Sequence, residues 1–145
     1  EALHCESTNA WSEALRDLII TNARIITMDD FEAMGRAKVI EEARKVVGDR
    51  PTYVTFDIDG LDPVFCPGTG APEPGGLTMR DAQVVLRGLM GLNLIGGDVC
   101  EVSPPLDPSG HTALNGANLM FEILCLLADN VARAKKGAAK GKSRK

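Results

Sequence analysis

Apolar residues recur along this chain at two periods, and the alternation between them predicts the elements. In residues 11–19, Trp11, Leu15 and Leu18 stand at helical spacing with Asn9 or Ser12 available as a cap, which predicts a helix. Residues 23–28, ARIITM, are short, apolar and β-branched, the pattern of a buried strand. The next stretch carries Ala37, Ile40, Ala43, Val46 and Val47 on one helical face, with Gly48 where a helix terminator belongs. Residues 52–59, TYVTFDID, have the apolar density of a parallel-sheet strand. Strand, helix and strand make a βαβ unit.

Residues 60–78 hold four prolines and five glycines, a density that forbids a helix or a ladder and predicts a long irregular loop. A loop of that length is usually functional or disordered. Thr78 can cap a helix whose inner face is Ala82, Val85, Leu86 and Leu89 and which Gly91 would close. NLIGGDVCEVSPP then predicts a strand that ends at Glu101 before Pro104 and Pro105, and residues 111–134 predict a long final helix. The alternation implies an α/β fold of three layers, αβα, with a mostly parallel sheet.

Composition narrows the class. With 145 residues the chain is about one domain, or a piece of a larger one. It starts at Glu1, and no charged leader with an apolar run follows, so no secretory signal is expected. The longest apolar run, 119–128, is interrupted by Glu122 and is far shorter than a membrane span, so no membrane partner is expected. Cys5, Cys66, Cys100 and Cys125 are scattered without a CxxC pair and read as free thiols in a cytoplasmic protein, Cys125 as a buried one. Residues 133–145 contain seven of the 16 Lys and Arg and no acid, and read as a basic, disordered tail. The body, residues 1–132, sets nine basic residues against all 20 acids, which argues against nucleic acid as a main partner.

The chemistry gathers at strand ends. Asp57 and Asp59 close one apolar strand and Glu101 closes the next, where open α/β sheets bind ligands. Two ionised carboxylates this close need a cation or a shared proton to offset their repulsion. Residues two apart on a strand share a face, with Cα atoms about 6.6 Å apart, which suits ions held roughly 3.5–4 Å apart in a two-metal site. A structural alternative has one aspartate capping the loop and the other paired with an arginine, but it leaves two like charges at one strand end. Asp62, before Pro63, suits an Asx turn, and Asp98, on the face opposite Glu101, suits a hydrogen-bond acceptor. The sequence DIDG also fits the DxDG of aspartyl-nucleophile phosphatases, but that motif continues into Thr or Ser where this chain has Leu61.

The two motifs FDIDGLDPVFCPGTGAPEPGGLT and DVCEVSPPLDPSGHTAL, in that order, resemble the C-terminal portion of the ureohydrolase (arginase/agmatinase) family, with the agmatinase and guanidinobutyrase pattern. The resemblance runs from about Tyr53 to about Ala128. It implies an arginase-like fold of which only the C-terminal part is present, and a hydrolase that uses two Mn²⁺ per complete subunit to release urea from a small guanidino substrate. It implies Asp57 and Asp59 as metal ligands, Glu101 as the residue that orients the guanidinium, and a trimeric or hexameric homo-oligomer. The family's upstream histidine ligands and its Asp-Ala-His-x-Asp type motif are not in this sequence, and His4 stands alone. No catalytic residue is therefore assigned, and the isolated chain is expected to be inactive, with a truncated, non-catalytic partner subunit as the alternative. Leu106 stands where an aromatic commonly follows the two prolines, and His111 where asparagine is common.

Overall fold

The computed structural model describes residues 23–142, with side chains described as far as Gly137. The expected helix at 11–19, together with His4 and Cys5, lies outside the described residues. Three helices and two strands follow in the order α1 (Met28–Val47), β1 (Thr52–Asp57), α2 (Met79–Gly88), β2 (Leu94–Cys100) and α3 (His111–Lys142), with single 3₁₀ turns at Ile58–Gly60 and Pro104–Leu106.

The strand expected at 23–28 does not form. Thr27 instead caps α1 through a reciprocal pair in which the Asp30 N–H donates to the Thr27 hydroxyl and the Thr27 N–H to the Asp30 carboxylate, both at 3.1 Å. That capping box draws Met28 into the helix. Among the described residues no strand pairs with this stretch, and Ile25 is 72% exposed. The helix bends at Gly35 and ends at Gly48, whose N–H returns to the Arg44 carbonyl as the terminator pattern predicts. Its inner face is Val39, Ile40, Ala43 and Val47, whereas Ala37 and Val46 are exposed, because at about 100° per residue they fall outside the arc those four share.

β1 and β2 pair in parallel, with Asp57 opposite Cys100 and an irregularity between Thr52 and Tyr53 that leaves Ile95 unpaired and exposed. Along β1, Val54 and Phe56 turn toward the core while Tyr53, Thr55 and Asp57 face outward. α3 lies on the inward face and contributes Leu119, Ile123 and Leu126 to a core shared with Ala82 and Leu86 of α2 and with Leu92, Leu94, Ile58 and Leu61. The close approach of α3 depends on Gly97, where a Cβ would stand 2.6 Å from Ile123 and 2.8 Å from the Val54 carbonyl. On the other face, Asp98 accepts from the Tyr53 hydroxyl at 2.9 Å and the Thr55 hydroxyl at 2.6 Å, the acceptor role its strand face implied. α1 packs on α2 through Ile40 against Gly88 and through Arg44, which donates to the Gly88 and Met90 carbonyls.

The remaining helix expectations hold, with three adjustments. Thr78 and Asp81 form the capping box of α2. The helix ends at Gly88 rather than Gly91, because Leu89 and Met90 already turn back on Leu86 and Arg87. Cys125 is exposed and it is Cys66 that is buried, while Cys66, Cys100 and Cys125 are all free thiols. α3 runs on through Lys142, so the basic segment read as disordered is helical to that residue, in keeping with the high helix propensity of its Ala, Lys and Arg. No helix among the described residues is long and apolar enough to cross a membrane.

Arg87 clamps α2 to α3 by donating through both Nε and Nη2 to the buried carboxylate of Glu122. Hydrogen bonding to Arg87 holds the Glu122 carboxyl below its ordinary value of 4.5, against the upward push of burial. A depressed carboxylate stabilises the fold above that ordinary value and loses its contribution as pH falls through the folded-state pKa. Replacing Arg87 with Met is therefore expected to lower the melting temperature at neutral pH, and the difference from wild type should close as pH falls below 4.5. Thermal melts across pH test this, and a difference that is independent of pH would remove the ion pair as its source.

Candidate active site

The parallel register carries both acidic strand ends to one edge of the sheet. β1 stops at Asp57, opposite Cys100, and Glu101 is the next residue after β2. Asp59 is not on the strand, as alternation would have it, but in the 3₁₀ turn that follows. The Asp57 carboxylate accepts the Asp59 N–H at 3.3 Å, so an Asx-type turn and not the strand pleat brings the two acids together. Ile58 between them is fully buried and anchors the turn in the core.

The environment of Asp59 reports the arrangement. Its carboxyl is pushed above its ordinary value first by burial, then by the hydrogen bond and charge of Asp57, and then by the charge of Glu101. Three carboxylates therefore share one field. Among the described residues no group of three or more His, Cys, Asp or Glu side chains is placed to make a metal site. Asp57 and Asp59 offer hard oxygen donors for part of one, and a cation there would relieve their mutual repulsion.

Glu101 has a backbone φ of +64°, the only positive φ at a residue other than glycine among the described residues. A left-handed conformation costs an L-residue about 1–2 kcal/mol, and such strain gathers at functional positions. It rotates the chain out of the strand just where the carboxylate is presented. Sequence alternation could not signal this.

The Gly- and Pro-rich stretch forms the wall of the site. A one-residue parallel bridge between Leu61 and Leu77 closes its base, with Asp62 N–H donating to the Leu77 carbonyl and Leu77 N–H to the Gly60 carbonyl. Asp62 makes the expected Asx turn to the Val64 N–H and reaches across to the Gly75 N–H, both at 2.9 Å. Those two donors hold its carboxyl below the usual range. Deeper in, Asn115 of α3 donates to the Phe65 carbonyl, and the Gly70 backbone runs beside Glu101, with 3.8 Å from a built Cβ to Oε2. A cleft of about 450 Å³ opens beside Asp59, bordered by Met28 and by Glu73 to Leu77. His111 is exposed and bonded to Ser109, outside this group. Sequence reasoning missed Asp107, a buried carboxylate that caps α3 by accepting the Thr112 and Ala113 N–H groups. The only signal was an Asp-Pro-Ser-Gly run ahead of a helix.

The sequence profile of the arginase family matches residues 7–126. This chain belongs to the arginase family. Among its relatives, guanidinopropionase of Pseudomonas aeruginosa is 58% identical over 111 residues, 77% of this chain and 35% of that protein. Guanidinobutyrase of the same organism is 47% identical over 110 residues, 76% of this chain and 34% of that protein. A hypothetical agmatinase from Burkholderia thailandensis superposes with a TM-score of 0.72 at 43% identity, over 75% of this chain and 35% of that one. The arginase-like αβα fold expected from the sequence is thereby established, and this arginase-family chain spans about a third of the length of the curated relatives it matches.

The crowding of charge at Asp59 has a measurable sign. A carboxylate with a raised folded-state pKa opposes folding wherever it is ionised, and that cost fades as pH falls through the raised pKa toward the ordinary 3.8. In metal-free protein, Asp59→Asn is expected to raise the melting temperature at neutral pH, as read by thermal melts. A metal-free Asp59→Asn protein that melts lower than wild type at neutral pH would contradict the repulsion.

Proposed function

We propose that this chain supplies the carboxylate part of a binuclear manganese site in an amidinohydrolase that releases urea from a carboxylate-tailed guanidino compound. The observation that carries the reading is the convergence of Asp57, Asp59 and Glu101 at one sheet edge, on a chain of the arginase family. Asp57 and Asp59 would hold metal, since hard Mn²⁺ favours carboxylate oxygen. When bound, the metal pair supplies the Lewis acidity that makes water a nucleophile near neutral pH. Glu101 accepts paired N–H donors of a planar guanidinium and fixes its plane against the Gly70 wall. The remaining ligands come from residues outside this motif pair, on the same chain or a partner.

The tail preference rests on two supports. Relatives carry the names guanidinopropionase and guanidinobutyrase, whose substrates end in a carboxylate. Leu106, after the Glu101 segment, offers no aromatic face to a cationic tail. The reading includes a cytoplasmic homo-oligomer acting on a small molecule, without nucleic acid or membrane as partner. A second reading, a non-catalytic partner subunit, is favoured by the lack of a three-ligand cluster among the described residues.

A urea-release panel on the complete subunit, with manganese content measured in parallel, separates these. 3-Guanidinopropionate and 4-guanidinobutyrate are expected to be hydrolysed in preference to agmatine and arginine. Asp59→Ala should lose metal and urea release together, and Glu101→Gln should keep metal while raising KM. Arginine as the preferred substrate would overturn the tail assignment, and no urea from any of the four would promote the partner-subunit reading.

A further inference from the structure

Glu101 is held in a strained backbone, and its own hydrogen bonds do not explain what keeps it there. The next residues provide a link: the Ser103 N–H donates to the Gly68 carbonyl at 2.9 Å. On the other side of the same glycine, the Gly68 N–H donates to the Thr112 hydroxyl at 2.7 Å, a buried hydrogen bond between residues 44 apart in sequence. Both peptide polar groups of Gly68 are thus committed, one to the segment after Glu101 and one to the first turn of α3. Thr112 is fully buried, and its N–H in turn donates to Asp107 at 3.2 Å.

The fit is close enough to exclude any side chain at residue 68. A Cβ there would lie 2.3 Å from that of Asp107 and 2.9 Å from its Cα. Two residues further on, the Gly70 backbone forms the wall beside the Glu101 carboxylate. Thr69, between them, is 2% exposed, and its hydroxyl has no protein partner, so the segment is held by its flanking glycine contacts and not by its own side chain.

We propose that Thr112 is a positioning residue for Glu101, acting through Gly68 to set the wall and the backbone turn that aim the carboxylate at a guanidinium. This inference rests on the role assigned to Glu101 above. Thr112→Val removes the acceptor at nearly constant shape and leaves the Gly68 N–H buried without a partner. Gly68→Ala displaces the same segment by collision with Asp107.

The test uses the complete manganese-loaded subunit with 3-guanidinopropionate as substrate. Thr112→Val is expected to raise KM roughly tenfold with manganese content unchanged, Thr112→Ser to restore the wild-type value, and Gly68→Ala to behave like Thr112→Val. In a Glu101→Gln background, Thr112→Val should add nothing further, because the group it positions is already lost. A role in general stability would instead multiply with Glu101→Gln. If Glu101→Gln raises KM while either folded variant leaves it unchanged, or if the two effects multiply, the positioning role is overturned alone. If Glu101→Gln itself leaves KM unchanged, the reading of Glu101 falls and this inference falls with it.

Discussion

The parallel pairing of β1 with β2 is the constraint on which the site depends. Parallel strands point the same way, so their C-terminal residues arrive at one edge, and here that edge receives Asp57, Asp59 and Glu101. A slip of one residue would turn Val54 and Phe56 out of the core and carry Glu101 away from Asp59. Val54 and Phe56 pack toward the core only at this register, with Ile123 seated over Gly97 on the same face, and that packing resists the slip. Core packing and site geometry are therefore one problem here.

The loop between β1 and α2 is irregular without being loose. Its base and its buried part are held by the Leu61–Leu77 bridge, by the Asp62 carboxylate and by Asn115 and Thr112 from α3, partners that lie far apart in sequence. A segment that cannot form a ladder or a helix must find such partners when it is buried. The result is a wall beside Glu101 that is tied to both the sheet and α3. Asp107 ties the same wall to the start of α3, where a carboxylate is favoured by unpaired N–H groups and the helix dipole.

Electrostatics at the sheet edge runs against local stability. Asp57 and Asp59 repel, Glu101 adds to the same negative field, and the backbone at Glu101 is left-handed. Elsewhere carboxylates are matched conventionally, Glu122 by Arg87 and Asp98 by two hydroxyls. The contrast separates structural acids from those at the site: the former have their pKa lowered by partners within the fold, while Asp59 has its raised.

Local sequence by itself determined much of this protein. The caps at Thr78 and Gly48, the inner face of α2, the apolar density of β1 and the punctuation of the loop are near-neighbour effects, legible from side-chain type and spacing. The motifs around Asp57, Asp59 and Glu101 likewise identified the family. The strand read into residues 23–28 failed because a strand exists only when a neighbour completes its hydrogen bonds, and periodicity contains no neighbour. Tertiary structure alone decided that Asp59 meets Asp57 through a turn, that Glu101 bends into a left-handed backbone, and that Gly68 is gripped by Thr112 across 44 residues. Those outcomes depend on contacts between segments distant in sequence, where each side chain's surroundings come from the fold and not from its neighbours along the chain.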